Sequence, residues 1–257
     1  MRRISSLLIF IIALAAPAWG DPITVSAAIS LKESMTQIAA DYKAKSGDDV
    51  TLNFGASGQL AAQIAQGAPA DAFVSAGVKE MDQLTSQGLI DAATRRVVCG
   101  NELVLIVPSD AKFVPASFAD LTDSRIAKIA VGQPKSVPAG LYAQEVFSHL
   151  KISDAIAPKI VFGENVRQVL DYVIRGEVEA GVVYSTDALS AGTKIIVAAK
   201  SDATQHEPII YPAAVIKQSS HAESARHFLE YLGTDAAEKV LTAHGFTIIM
   251  PATAPTP

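Results

Sequence analysis

Apolar and polar positions regroup repeatedly along this chain, and each regrouping predicts a strand that runs into a helix. Ile23-Thr24-Val25-Ser26-Ala27 alternates as a strand does, and from Leu31 the spacing becomes helical, with Leu31, Met35, Ile38, Ala39 and Tyr42 on one face. Ser30 stands at the junction. A serine there either caps the helix or leaves the free N–H groups facing outward and joins them as a hydroxyl donor to something negative. The cap is the commoner use of one such serine, and repetition of the same device favours the second.

The device does repeat. Val50–Phe54 reads as a strand, Gly55-Ala56-Ser57-Gly58 as a turn whose glycines let backbone N–H groups approach a bound group, and Leu60, Ile64 and Ala65 as a helix face. Ala72–Ser75 is a short buried strand before a helix from about Val78 to Gln87, and Asp71 before it reads as a turn or capping acid. Further on, strand Ile129–Gly132 leads to a helix started by Pro138, which suits a first helical position. Ile160–Phe162 leads through Gly163-Glu164-Asn165 to a periodic helix with Val166, Val169, Leu170, Val173 and Ile174 on one face. Gly181–Tyr184 leads to a short helix opened by Ser185, and Thr193–Ala199 is a closing strand. Helices near Ala222–Leu232 and Ala236–His244 and an extended piece over Phe246–Met250 finish the pattern.

Two long apolar runs differ from the rest: Val97–Pro108, broken by a polar centre, and Ile209–Ile216. They predict strands that carry the chain out of one lobe and back, so that 21–98 and 210–257 form lobe I and 99–209 form lobe II. Strand–helix alternation in each predicts an α/β fold of open, mostly parallel sheets with flanking helices, with ligands beyond the carboxyl ends of the strands. Ser30, Ser57, Ala139, Val166 and Tyr184 all follow or end predicted strands.

Composition narrows the classes. Residues 1–20 have the order of a secretory signal peptide: Arg2 and Arg3, an apolar stretch from Ile4 to about Ala16, then Pro17-Ala18-Trp19-Gly20. That stretch is too short for a membrane span, so an exported protein without direct membrane insertion is expected. No cysteine stands at the cleavage site, so no lipid anchor is expected. The formal net charge is −5, and removal of the leader leaves the chain more acidic, which gives no support to nucleic acid as a partner. Cys99 is the single cysteine, in an apolar run that predicts a buried inert thiol. The tail from Pro251 to Pro257 lacks core-forming residues.

The chemistry of the five strand-end positions is that of a neutral donor set. Two serine hydroxyls, one tyrosine hydroxyl and N–H groups at helix starts suit a small anion with several oxygens. Arg167, beside Val166, and Glu164 and Glu33 are the charged groups that could approach it. An anion held by donors alone is fully deprotonated, because a bound acidic proton needs an acceptor. That favours sulfate, molybdate or tungstate over phosphate.

The strings AAISL (Ala27–Leu31), FGASGQLAAQIAQGAPAD (Phe54–Asp71), VGQPKSVPAGLYAQ (Val131–Gln144), ENVRQVL (Glu164–Leu170), GVVYSTDA (Gly181–Ala188) and HGFTI (His244–Ile248), in this order and spacing, resemble the periplasmic molybdate-binding proteins of bacterial ABC importers. The resemblance implies a two-lobed periplasmic-binding-protein architecture that closes by hinge motion about the two crossing strands. It implies that Ser30, Ser57 and Tyr184 hold the oxyanion through side chains and Ala139 and Val166 through amides, with molybdenum bound only as that oxyanion. Ala56 and Gly58 flank Ser57 where relatives often carry more hydroxyls. It further implies a periplasmic monomer with no cofactor that delivers molybdate, and tungstate, to a membrane permease. Two alternatives stay open: the same fold with another tetrahedral oxyanion such as sulfate, and a serine hydrolase. Gly55-Ala56-Ser57-Gly58-Gln59 nearly matches a nucleophile elbow, but its second glycine comes one place early. His149, His206, His221, His227 and His244 offer it no assignable base, so no enzyme is expected.

Overall fold

The computed structural model describes residues 22–249, so the signal-peptide expectation for 1–20 and the tail from Pro251 lie outside the described residues. The chain opens with β1 (Ile23–Ala28), a 3-10 turn (Ile29–Leu31) and α1 (Lys32–Ser46), which ends on Gly47 in the left-handed region at φ 85°. There follow β2 (Val50–Gly55), α2 (Ser57–Ala65), β3 (Ala72–Val74), α3 (Val78–Ser86) and β4 (Arg96–Gly100). Only Asn101 and Glu102 separate β4 from β5 (Leu103–Pro108), yet these two strands belong to different sheets.

The second lobe continues with β6 (Ile129–Gly132), α4 (Pro138–His149), α5 (Ser153–Ile156), β7 (Ile160–Gly163), α6 (Val166–Ile174), β8 (Ala180–Tyr184), α7 (Ser185–Ala191) and β9 (Ile195–Lys200). After β9 the chain returns to the first sheet as β10 (Ile210–Val215), and α8 (Ala222–Leu232) and α9 (Asp235–Ala243) pack on that lobe. Thr247 then bridges to Gly100, so the final extended piece is tied to the strand that leaves the lobe.

The strand orders are β2-β1-β3-β10-β4 and β7-β6-β8-β5-β9. Each sheet has the same plan, three parallel strands followed by two antiparallel pairings. Strand–helix alternation predicts the parallel part. The antiparallel part comes from the crossing chain: β10 and β5, on which it enters each sheet, run against the parallel strands beside them and give a mixed sheet.

The first sheet is covered on both faces. Val25, Ala27 and Val74 face a core shared with Leu31, Met35, Ile38 and Phe228, while Phe73 and Ala214 face a second cluster with Leu60, Met81 and Leu84. The opposite facing of Phe73 and Val74 is the two-residue period of a strand. In the second lobe α4 lies so close on the end of β6 that a Cβ on Gly140 would overlap the Gly132 carbonyl. This contact fixes the height of the first turn of α4 above the sheet. Cys99 is buried, as expected, and burial pushes its thiol well above the ordinary value. No helix among the described residues is long and apolar enough to cross a membrane.

Candidate functional site

The carboxyl ends of β1, β2 and β8 and the first turns of α2, α4 and α6 converge between the lobes. Ser30, Ser57, Ala139, Val166 and Tyr184 line one tight cavity of about 10 Å³ there, and all five are at least nine-tenths buried. A pocket for a drug-sized organic solute runs to about 300–1,000 Å³, so this one excludes such a solute and leaves room only for a small group. Its lining includes no charged side chain and no histidine. Helix first turns leave amide hydrogens without intrahelical acceptors and add partial positive charge, which makes the cavity hospitable to an anion without a formal counter-charge.

Each donor is set up locally. Ser57 is the first residue of α2, and its Oγ accepts from the Ala76 amide at 3.0 Å, which leaves the serine hydrogen to donate. Ser30 lies in the 3-10 turn before α1. Its hydroxyl makes no capping bond; instead Oγ sits 3.0 Å from the Tyr211 hydroxyl, so the alternative of a plain helix cap is set aside. Ala139 is the second residue of α4, after Pro138, and has no acceptor four residues back within the helix. At α6 the cap residue Asn165 accepts from the Gln168 amide at 3.0 Å and Gln168 Oε1 accepts from the Glu164 amide, a reciprocal arrangement that leaves the Val166 amide unclaimed by either.

Tyr184 departs from the expectation of a free donor. Its hydroxyl donates to the Ala76 carbonyl at 3.2 Å, so a ligand has to compete with that carbonyl for the proton. Burial pushes this phenol well above its ordinary value, and it stays protonated at neutral pH. Ala76 thus touches both lobes' hydroxyls, its N–H on Ser57 and its C=O on Tyr184. No pattern in the sequence marks that alanine, because its contribution is entirely main chain.

Two further features bridge the lobes. The Gly58 amide donates to the Ser136 carbonyl at 2.9 Å. Arg167 of α6 makes a two-pronged ion pair with Glu33 of α1, Nη1 to Oε1 at 3.0 Å and Nη2 to Oε2 at 2.9 Å, and its Nη2 lies 3.4 Å from Asp187 Oδ1. Burial pushes the Glu33 carboxyl up, but the Arg167 guanidinium outweighs it and holds Glu33 below its ordinary value. Asp187 is fully buried, and neither of its oxygens has a hydrogen-bond partner among the described residues. Burial pushes its carboxyl up to about 7 against the pull of Arg167. Glu164, also a candidate on sequence, is exposed and contributes its amide to the α6 cap.

Asp71 takes the turn role expected of it. Its carboxylate accepts from the Thr24 amide at 2.7 Å and the Ser219 hydroxyl at 2.6 Å, and none of these three residues lines the cavity. His221 lies 3.2 Å from the same carboxylate, while His206 bonds Ser201 and His244 bonds Gln37. None of these lines the cavity or bonds Ser57, and no group of three or more metal-ligating side chains occurs among the described residues.

Residues 23–247 match the family model described as bacterial extracellular solute-binding protein. The chain is 42% identical over 227 residues to a Bacillus subtilis protein named "Putative ABC transporter substrate-binding lipoprotein YvgL", covering 88% of this chain and 86% of that one. It is 38% identical over 229 residues to molybdate-binding protein ModA of Haemophilus influenzae, with 88% and 89% covered. In structure it is similar to the periplasmic molybdate-binding protein of Azotobacter vinelandii, with a TM-score of 0.81 at 24% identity over 89% of this chain and all of that one. A sulfate-binding protein of Mycobacterium tuberculosis shares the fold at a TM-score of 0.78 and 19% identity, over 90% of this chain and 88% of that one.

Proposed function

This chain belongs to the bacterial extracellular solute-binding proteins, and from that premise we propose that it binds molybdate, and tungstate, outside the cytoplasm and delivers it to the permease of an ABC importer. The observation that carries the proposal is the cavity itself: small, buried between two lobes, rich in neutral donors and free of charged side chains. Such a site favours an oxyanion that has lost every proton. It can hold the ion tightly because desolvated N–H and O–H donors aimed at a charge make hydrogen bonds roughly twice as strong as neutral pairs.

In this reading Ser30 and Ser57 donate hydroxyl hydrogens, Ala139 and Val166 donate amides, and Tyr184 turns its hydroxyl from the Ala76 carbonyl to the ligand. Molybdenum enters only as the oxyanion held by these five residues. No cofactor and no chemical step are needed. Lobe I supplies both serines and lobe II the tyrosine and both amides, so full ligation requires the closed arrangement and a closed complex is what a permease would recognise. The signal-peptide reading of residues 1–20 fits export to the periplasm.

Sulfate is the competing ligand, since it too is a protonless tetrahedral dianion and a sulfate-binding protein shares this fold. Identity of 38% to a protein named for molybdate favours molybdate. A hydrolytic role for Ser57 is disfavoured because its hydroxyl is engaged by a backbone amide, with no base beside it. Calorimetric titration of the purified protein with molybdate, tungstate, sulfate and phosphate tests the reading. Tight molybdate binding with weak sulfate and no phosphate binding is expected; tight sulfate binding with none for molybdate overturns it.

A further inference from the structure

We infer that Tyr211 and Asn101, neither of which lines the cavity, determine which oxyanions the site accepts by fixing the Ser30 hydroxyl as a donor; the inference rests on the oxyanion reading above. The fixing runs through one chain of hydrogen bonds. Asn101 Oδ1 accepts from the Glu102 amide at 2.9 Å and from the Ser185 hydroxyl at 3.0 Å, which orients the carboxamide. Its Nδ2 then points its two hydrogens at Thr186 Oγ1, 2.9 Å away, and at the Tyr211 hydroxyl, 3.0 Å away. Nδ2 has no lone pair to offer, so Tyr211 accepts from it.

The Tyr211 hydrogen therefore needs another acceptor, and Ser30 Oγ at 3.0 Å is the acceptor within reach among the described residues. Tyr211 is fully buried, with its ring 5.4 Å from Phe246 edge-on and 6.0 Å from Tyr184, so it cannot turn its hydroxyl to water. Leaving a buried hydroxyl hydrogen unbonded is costly, and the bond to Ser30 avoids that cost. Burial also pushes the phenol well above its ordinary value, which keeps that hydrogen in place. With one Oγ lone pair taken by the Tyr211 hydrogen, the Ser30 hydrogen is not spent on Tyr211 and is free to face the cavity. Ser57 is held in the same sense by the Ala76 amide.

Both serines are thus fixed as donors, by different means. A protonless dianion accepts from both. Hydrogen phosphate brings a proton of its own and meets two hydroxyls that each already accept one bond and are turned to donate, so it is disfavoured by polarity. The relay also spans the lobes, since Asn101 lies on one crossing between the sheets and bonds Tyr211 of lobe I and Ser185 and Thr186 of lobe II.

The test compares sodium molybdate and sodium phosphate at pH 8, where both anions are dianions and only phosphate carries a proton. Calorimetry or ligand-induced thermal shift is run on wild type, Tyr211→Phe and Asn101→Asp. Tyr211→Phe frees Ser30 to accept, and the molybdate-to-phosphate affinity ratio should fall tenfold or more. Asn101→Asp replaces a donor by an acceptor and reverses the relay, so the ratio should fall further, although charge lowers both affinities. Circular dichroism and unliganded melting establish folding, and Tyr211→Phe keeps the ring that packs the core. If both folded variants lose affinity for the two anions in equal proportion, the relay is only structural and the inference is overturned. A wild-type protein that binds no molybdate overturns the functional reading itself, a distinct result.

Discussion

Gly58 and Ser136 meet backbone to backbone across the cleft: the Gly58 amide donates to the Ser136 carbonyl at 2.9 Å, and a Cβ at position 58 would lie 2.7 Å from both that oxygen and the Ser136 Cα. Neither atom belongs to a flexible side chain. Gly58→Ala should therefore leave each lobe folded and hold the two apart by a few tenths of an ångström or more. The expected result is a loss of about tenfold in molybdate affinity, roughly 1.4 kcal/mol. Titration calorimetry reads the affinity, and an unchanged unliganded melting temperature separates the effect from misfolding. Full affinity in the variant would show that this contact is not part of the liganded state.

Ser30→Ala and Ser57→Ala should each weaken molybdate binding by about 1–3 kcal/mol, the usual worth of a hydrogen bond to a charged group. Tyr184→Phe should cost less. Its hydroxyl must first leave the Ala76 carbonyl, so the variant loses only the difference between two acceptors, at most about 1.5 kcal/mol. The same three variants measured with sulfate distinguish donors common to all oxyanions from donors tuned to the larger ion. Equal losses for all three with molybdate would contradict the competition at Tyr184.

How far the sequence foretold this can be seen at individual positions. The strand–helix junctions were legible because period-two and helical spacing differ sharply, and small residues stand at Ser30, Gly55–Gly58 and Ala139 where helices start. The cap formed by Asn165 and Gln168 was not foretold, since both are ordinary polar residues at a helix start. The mixed pairing of each sheet was not legible, since a strand's direction depends on which lobe it enters. Ala76 was invisible because only its backbone acts. Asn101 and Tyr211 read simply as the polar centre and one aromatic of two apolar runs, and their relation to Ser30 spans up to 181 positions in sequence.

Asp187 gives a pH prediction whose sign is fixed by its burial. Its carboxyl is pushed up to about 7 in the folded protein, against the ordinary 3.8. The folded state thus holds a proton that the unfolded chain releases. Stability from this group is fully present below about pH 4 and is lost as pH rises through about 7. Arg167 and Glu33 face the group and act in opposite directions, the first lowering and the second raising it. Urea unfolding of wild type between pH 5 and 8 should show a decline that Asp187→Asn lacks, amounting to at most a few kcal/mol. Parallel pH profiles for the two proteins would place the wild-type decline elsewhere.

Arg167, next in sequence to the cavity residue Val166, forms with Glu33 a fully charged contact between lobes, and the pair should act on release rather than capture. The pair is two-pronged but partly exposed, 23% for the arginine side chain and 40% for the glutamate. Its net worth therefore stays at or below about 1 kcal/mol. Because the partners come from opposite lobes, they gain that energy only in the closed form, and removing it lowers the barrier to opening. Arg167→Ala should speed molybdate release by up to about fivefold, with little change in the association rate. High salt should speed wild-type release toward the variant's rate. Exchanging the charges, Glu33→Arg with Arg167→Glu, should recover most of the slow release if the pair acts only as a clasp. Stopped-flow release measurements decide the matter: a double exchange no better than Arg167→Ala would mean that Arg167 acts on the anion or on Asp187, not through Glu33.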